Sequence, residues 1–110
     1  MKRGEIYFAD LSLSIGSELR GIRPIIIASN DKANEFSNVV TVIPISSSNT
    51  KKMLPTHVKL EHMQLKNTSF AMVEQIRTIE KIRIFNYLGR LDNETMKKID
   101  KSIKIQLDLN

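Results

Sequence analysis

The sequence predicts a mainly β fold completed by one C-terminal α-helix in a small protein of 110 residues. Three observations favour it: short apolar or alternating stretches separated by turns fill the first part, apolar residues recur at helical spacing from Asp92 onward, and no repeat or linker divides the chain. Several short strands with one helix are typical of a small curled sheet or barrel. We expect a single domain over 1–110, strand-rich at about 1–80 and helical at about 92–109.

Five segments have the composition of strands. β-Branched and apolar residues fill them or alternate with polar ones, as in strands that bury both faces or one. The predicted strands are Glu5–Ala9, Ile22–Ser29, Val39–Ser46, Thr56–Leu60 and Ser69–Gln75. After the second of these, Asn30 and Asp31 predict the capped start of a short helical turn that ends at Glu35 or Phe36.

The predicted C-terminal helix is amphipathic. Asp92 or Asn93 can cap its start, and lysines line its polar side. Ile105 and Leu109 lie roughly opposite the main apolar stripe, and we interpret them as a buried tail rather than a partner surface. The stripe consists of Met96, Ile99, Ile103 and Leu107.

Composition limits the classes of function. The chain has 17 basic against 12 acidic residues, a net charge of +5, which favours an anionic partner such as RNA or an acidic protein segment. It has no cysteine and two histidines without metal-ligand spacing, so we expect neither a metal nor a cofactor. Neither a signal peptide nor a membrane span is predicted, and we expect a cytoplasmic protein.

Arg23 is the first candidate functional residue. A polar loop ends at Gly21 and leads to Arg23 at the start of a strand, where Pro24 fixes the backbone direction. A guanidinium held at such a junction can bind two phosphate oxygens at once. The alternative is an ordinary surface arginine.

Ser46 and Glu18 extend this hypothesis to RNA cleavage. Ser46 stands where an apolar strand gives way to a polar loop, which suits either a phosphate donor or ordinary turn chemistry. Cleavage of RNA through its own 2′-hydroxyl needs three kinds of group. The chain offers a carboxylate on a loop (Glu18), an arginine held at the start of a strand (Arg23) and a hydroxyl at the end of a strand (Ser46). That reaction requires proton removal, in-line geometry and stabilisation of charge on the phosphate oxygens.

Several motifs together resemble the MazF/PemK family of bacterial toxins. The similarity is in order and spacing, and it spans essentially the whole chain. The matching segments are Lys2–Leu11, Gly16–Pro24, Asn30-Asp31, Leu54–Val58 and Glu74–Ile79.

This resemblance implies an SH3-like barrel of the PemK/CcdB type that acts as a homodimeric endoribonuclease. Such a toxin cuts single-stranded mRNA at a short sequence and is held inactive by a cognate MazE-like antitoxin; a pentamer containing UAC is the expected recognition sequence. The products would carry a 2′,3′-cyclic phosphate and a 5′-hydroxyl. Arg23 resembles the family's catalytic arginine, and Ser46 falls where similar relatives carry a catalytic threonine.

We expect Arg23 to act as an electrostatic clamp, because an arginine is always protonated and is a poor base. Ser46 would orient the scissile phosphate. Glu18 is the candidate acceptor of the 2′-hydroxyl proton; its alternative role is to hold the loop by accepting backbone N–H bonds. Arg77 is interpreted as an ion-pair residue rather than a catalyst.

RNA contacts are expected from two loops, 13–20 and 47–56, because single strands expose their base edges. Each candidate also has a structural alternative; His57, for example, could simply face solvent. The candidates for bases are Ser17, Glu18, Leu19, Thr56, His57 and Gln75, and those for backbone phosphates are Arg20, Lys51 and Lys52.

Two other classes of function stay open at this point. A non-catalytic barrel could bind RNA or protein through the same basic region. A gyrase-targeting toxin of the CcdB type would act through protein contacts at its C-terminal helix. Loss of RNA cleavage on substitution of Arg23 would distinguish the nuclease from both.

Overall fold

The computed structural model describes residues 1–12, 15–47, 53–61 and 68–110. In these ranges, two short segments form 3₁₀ turns, Val73–Gln75 and Lys81–Arg83. The predicted mainly β fold with a C-terminal helix is confirmed. The elements are β1 (Glu5–Asp10), β2 (Ile22–Ile27), α1 (Asp31–Phe36), β3 (Val39–Ser46), β4 (His57–Leu60), β5 (Ser69–Met72), β6 (Arg77–Glu80), β7 (Ile84–Arg90) and α2 (Asn93–Gln106).

All strand pairs are antiparallel and form one curled sheet in the order β4-β5-β3-β2-β1-β7, with β6 also paired to β3. β3 serves two partners on one side, because Val39–Val42 pair with β6 and Ile45-Ser46 pair with β5. Within the described residues the sheet ends at β4, at β6 and at β7. It therefore curls without closing into a complete barrel.

Both faces of the central strands β2 and β3 are largely buried, which explains why these strands are almost continuously apolar. Ile26 and Ile43 belong to the core cluster on one face, together with Ile99 of α2. Ile25 and Val42 belong to a second cluster on the other face. The central strands thus alternate between two cores rather than between a core and water.

The caps predicted for the helices are present. Asn30 accepts a hydrogen bond from the Ala33 N–H at the start of α1, and Asp92 accepts one from the Thr95 N–H at the start of α2. No helix of the described ranges is long and apolar enough to cross a bilayer.

The prediction of a buried C-terminal tail is wrong. Ile105 and Leu109 are 49% and 57% exposed, because α2 ends at Gln106 and only its Ile99 side packs deeply on the sheet. The end of the helix therefore presents apolar side chains at the surface.

Sequence reasoning also missed β6 and β7. In β7, Asn86 has φ 50° and Gly89 has φ 144°, and the pairing with β1 shifts register along the strand. These irregularities remove the alternation by which a strand is recognised. The predicted fifth strand is shorter than expected, because Val73–Gln75 turn into a 3₁₀ helix.

Candidate active site

Arg23 lies at the second position of β2, opposite Ala9 of β1. The hairpin loop before it is closed by a hydrogen bond from the Leu11 N–H to the Gly21 carbonyl, 2.8 Å, and Gly21 adopts φ 83°, which favours glycine. The Arg23 Nε donates to the Arg20 carbonyl at 2.7 Å. This bond fixes the guanidinium plane, while the two terminal nitrogens have no hydrogen-bond partner among the described residues. They are available to an anion.

Ser46 is the last residue of β3 and lies opposite Phe70 of β5. On its other side, the β2–β3 register sets Ile25 opposite Pro44. Continued by two residues, this register sets Arg23 opposite Ser46, and opposite residues of an antiparallel pair project from the same face. The observed β2–β3 pairs end at Ile25 and Pro44, so both candidates lie two residues beyond the last pair, at the same end of the two strands.

Burial distinguishes these two side chains. Arg23 is partly exposed, whereas Ser46 is only 1% exposed. The Ser46 hydroxyl can contact a phosphate only after the groups that cover it move aside.

The loop that carries Glu18 is held by two side chains from the Val73–Arg77 segment. The Gln75 Oε1 accepts from the Leu19 N–H at 3.3 Å, and the Gln75 Nε2 donates to the Ser17 carbonyl at 3.4 Å. The Arg77 Nη1 lies 3.5 Å from the Leu19 carbonyl oxygen, to which it donates, and 3.6 Å from the Glu18 Oε2. Both ends of the Gln75 amide are thus engaged with loop backbone.

Glu18 itself is half exposed and is the acidic partner of Arg77. The ion-pair role predicted for Arg77 is therefore observed within one chain. The predicted alternative for Glu18, a carboxylate that holds the loop by accepting backbone N–H bonds, is not seen among the described residues, where the carboxylate pairs with Arg77 instead. Arg20 stabilises the same loop, because its Nη2 donates to the Gly16 carbonyl at 3.2 Å.

At the other end of this hairpin loop, the Asp10 carboxylate accepts hydrogen bonds from the side chain and the backbone N–H of Ser12. The hydrogen bond from the Ser12 hydroxyl is the main cause that lowers the pKa of Asp10 below its usual range. Asp10 is opposite Ile22, one residue before Arg23. A carboxylate therefore anchors the start of the loop.

Thr56 and His57 are both buried at the start of β4. The His57 Nδ1 accepts from the Leu54 N–H at 3.2 Å, so its Nε2 carries the proton donated to the Glu74 Oε2 at 2.5 Å. His57 thus does not face solvent. Thr56 is also tied to the segment of Glu74, because its carbonyl accepts from the Val73 N–H.

Glu74 is a residue that sequence reasoning did not single out. Its Oε2 meets His57, but its Oε1 is buried without a hydrogen-bond partner in the part of the chain that the structure describes. The available signal was a carboxylate placed directly after the apolar run 71–73. Such a position brings a charge to the edge of the core.

Lys51 and Lys52, the predicted phosphate contacts of the second loop, lie outside the described residues. Within the described ranges, no group of three His, Asp or Glu side chains could hold a metal ion. Hydrogen bonds and an ion pair bring together Arg23, the 15–20 loop, Gln75 and Arg77, whereas Ser46 is related to this group only through the register of β2 and β3.

Comparison with known proteins gives a consistent result. Residues 2–107 match the model of a family described as PemK-like, MazF-like toxin of type II toxin–antitoxin system. The chain is 41% identical over 111 residues to the Endoribonuclease EndoA of Bacillus subtilis, covering 99% of this chain and 96% of that protein. It is also 41% identical over 112 residues to the Endoribonuclease MazF of Staphylococcus saprophyticus, covering 100% and 93%.

A solved structure shares the fold. A mycobacterial endoribonuclease in complex with its cognate antitoxin is 27% identical, with a TM-score of 0.81, and the match covers 100% of this chain and 97% of that one. The relatives thus agree in length with this chain.

Proposed function

The chain belongs to the family of PemK-like, MazF-like toxins of type II toxin–antitoxin systems, and from this premise we propose that it cuts single-stranded mRNA in the cytoplasm by attack of a ribose 2′-hydroxyl. It is an endoribonuclease, as are the two relatives with 41% identity. The mechanism is supported by the β2–β3 register, whose last observed pair, Ile25 and Pro44, lies two residues from Arg23 and from Ser46.

In the proposed reaction the 2′-oxygen attacks phosphorus and the bond to the 5′-oxygen breaks. The 2′-hydroxyl loses a proton, the leaving 5′-oxygen gains one, and the products carry a 2′,3′-cyclic phosphate and a 5′-hydroxyl. Negative charge grows on the nonbridging oxygens in the transition state. The two terminal nitrogens of Arg23 would bind these oxygens, since the Nε is already used by the Arg20 carbonyl.

Ser46 would donate a hydrogen bond to the same phosphate. Glu18 is the proposed proton acceptor, and its half-exposed position in the loop gives it access to the RNA. To act as a base it must share or leave the contact with Arg77. The competing role, in which Glu18 only stabilises the loop, is tested by the Glu18→Gln variant, which should keep most activity in that case.

RNA specificity is proposed to come from the 15–20 loop and the start of β4. Ser17, Leu19 and Arg20 lie on the loop, and the Gln75 amide becomes available to a base only when its bonds to the loop are exchanged. Thr56 and His57 likewise contact RNA only if the surface over them opens, because both are buried. Recognition would then be coupled to a change in the loop.

An antitoxin is the second proposed partner, since a relative of this chain is seen in complex with its cognate antitoxin. We also propose a homodimer. It is supported by exposed apolar residues on and beside the edge strand β7, where Ile82, Phe85 and Tyr87 are 89%, 41% and 56% exposed. Sedimentation equilibrium of the purified protein tests this. The gyrase-targeting alternative has no support, because the family matched is that of the MazF-like toxins.

The deciding experiment compares Arg23→Ala with Arg90→Ala, which removes an exposed arginine at the end of β7. A long unstructured RNA is incubated with each protein, and the 5′ ends of the fragments are mapped. We expect the wild type and Arg90→Ala to yield 5′-hydroxyl ends at one short sequence. Arg23→Ala should yield none while it keeps the wild-type melting temperature; unchanged cleavage by folded Arg23→Ala would exclude this site.

A further inference from the structure

His57 is a buried residue that is bonded to one of the two loops expected to contact RNA and linked to the other. Its side chain is 4% exposed. The Nδ1 accepts a hydrogen bond from the Leu54 N–H at 3.2 Å, and the Nε2 donates to the Glu74 Oε2 at 2.5 Å. A neutral imidazole offers one acceptor and one donor, so both of its hydrogen-bonding groups are engaged within the protein.

The Nδ1 side of the ring fixes the end of the 47–56 loop, of which the structure describes residues 47 and 53–56. The His57 backbone N–H donates to the Leu54 carbonyl at 2.9 Å, which closes a turn over residues 54–57. Because the imidazole also accepts the Leu54 N–H, the two residues are joined in both directions. The side chain therefore adds a second closure to the turn that leads into β4.

The Nε2 side of the ring fixes the 3₁₀ turn Val73–Gln75 through Glu74. Among the described residues this bond is the only one that the Glu74 carboxylate makes, because its Oε1 is buried without a hydrogen-bond partner. A buried carboxylate that loses its one donor is left with an uncompensated cost of desolvation. Removal of the imidazole should therefore drive Glu74 toward water and displace the turn that carries it.

Gln75 extends this anchoring to the 15–20 loop. It follows Glu74 in the turn, and its amide accepts from the Leu19 N–H at 3.3 Å and donates to the Ser17 carbonyl at 3.4 Å. Both distances exceed the usual value of about 2.9–3.0 Å for such bonds, so a small displacement of the turn breaks them. Whether the amide holds the loop or binds a base, the turn must keep it in place.

We propose that His57 is a positioning residue that ties these two loops to each other. It acts on the 15–20 loop through Glu74 and Gln75 and on the 47–56 loop through Leu54, without touching the RNA. This role rests on the proposed function, which supplies RNA as the ligand of the loops. Loops that are already held in place lose less conformational freedom when RNA binds, so the imidazole should strengthen binding rather than speed the chemical step.

Two substitutions separate the halves of the ring. His57→Asn keeps an acceptor oxygen near the position of Nδ1 and lacks the donor to Glu74, whereas His57→Gln keeps an amide donor near the position of Nε2 and lacks the acceptor for Leu54. Asn34→Ala on α1 is the matched control, because Asn34 is 1% exposed and its side chain also makes two hydrogen bonds, both with Ser29. Thermal melting checks that all three variants are folded.

Amide hydrogen exchange of the full-length protein measures the two loops separately. We expect His57→Asn to speed exchange of the Leu19 amide about fivefold and to leave the Leu54 amide within about twofold of the wild type. His57→Gln should do the reverse. Asn34→Ala should lower the melting temperature and leave both amides within about twofold. Unchanged Leu19 exchange in His57→Asn, or equal acceleration of both amides in all three variants, would overturn the proposal.

Cleavage kinetics supply a second measurement that a purely structural role does not change. Each His57 variant should raise KM about fivefold and keep kcat within about twofold, because saturating RNA holds the loops and the bond from Arg23 to the Arg20 carbonyl is untouched. Asn34→Ala should leave both constants within about twofold of the wild type. A lower kcat with unchanged KM would show that His57 acts on the reacting groups, and the positioning role would be wrong.

The positioning role and the proposed cleavage mechanism fail in different ways. If the wild type does not cut RNA but the His57 variants show the expected exchange pattern, the mechanism is rejected and the tie between the loops stands. If the wild type cuts RNA and the Leu19 amide exchanges equally fast in His57→Asn, the tie is rejected and the mechanism stands.

Discussion

At the scale of single residues, Ser46 is proposed to take part in catalysis although its side chain is almost completely buried. Removing its hydroxyl in Ser46→Ala takes away one donor to the transition state, which typically lowers kcat about 100-fold. A neutral side-chain hydrogen bond contributes about 1 kcal/mol to the free energy of unfolding, so we expect only a small loss of stability. Single-turnover cleavage and thermal denaturation measure these two effects separately.

Ser46→Thr is the matched control, because it keeps the hydroxyl and adds a methyl group in a packed position. Overpacking of this kind costs about 1–3 kcal/mol. We expect the threonine variant to be the less stable of the two and the more active. If Ser46→Ala cleaves as fast as the wild type, the hydroxyl has no part in the reaction.

Tyr7 supplies a pH-dependent prediction. Its burial, followed by its hydrogen bond to the Glu5 carboxylate, raises the pKa of its phenol from 10.0 to about 12. In the unfolded chain Tyr7 loses its proton near pH 10, while the folded protein keeps it up to about pH 12. The folded state binds more protons in that window, so stability is complete below about pH 10 and falls as the pH rises to about 12.

The pKa of the Tyr7 phenol can be measured in the Tyr87→Phe variant. The chain has only 2 tyrosines, so Tyr7 is then the sole source of phenolate absorbance. The absorbance midpoint should lie near pH 12, and adding Glu5→Gln should lower it by removing the negative charge. A midpoint near 10 in the folded single variant would contradict the structure.

At the scale of elements, the 15–20 loop depends on the segment that follows β5. Gln75→Ala removes both of its hydrogen bonds to the loop and should release the Leu19 amide to solvent. Loss of about 1 kcal/mol of local protection makes hydrogen exchange at that amide about fivefold faster. Thr78→Ala, a substitution of an exposed residue on β6, is the control. Unchanged exchange in Gln75→Ala would mean that the loop is held by other contacts.

The elements also show where sequence reasoning succeeds. Residue type alone predicted β1 and β3, the cap at Asn30 and the helix that starts after Asp92, because alternation and capping are local properties. β7 escaped prediction because Asn86 and Gly89 interrupt its pattern with positive φ values. Local rules identify regular elements and fail where a bulge makes the strand irregular.

The same limit applies to the candidate site. Arg23 and Ser46 are conspicuous in the sequence because each stands at the end of an apolar strand, and the β2–β3 pairing places them at the same end of the two strands. The clamp of Gln75 on Ser17 joins residues 58 positions apart. No local pattern contains that contact, since it arises only from the path of the sheet between them.

At the scale of the whole molecule, the number of phosphates that basic side chains bind sets how RNA binding responds to salt. If Arg23, Arg20, Lys51 and Lys52 bind about four phosphates of a single strand, the logarithm of the association constant should fall with the logarithm of salt concentration with a slope of about −3. Binding of 2′-O-methyl RNA, which lacks the attacking hydroxyl, reports this slope without cleavage. Titrations at several salt concentrations give the value directly.

Two arginine substitutions distinguish a direct phosphate contact from the general attraction between the positively charged protein and RNA. Arg20→Ala should make the slope shallower by about 0.7, because one phosphate contact is lost. Arg90→Ala lowers the net charge by the same amount but removes an exposed arginine on β7, away from the loop, and should leave the slope unchanged. Equal slopes for Arg20→Ala and the wild type would show that the 15–20 loop does not bind the RNA backbone. Equal reductions in both variants would show that only the overall charge attracts RNA.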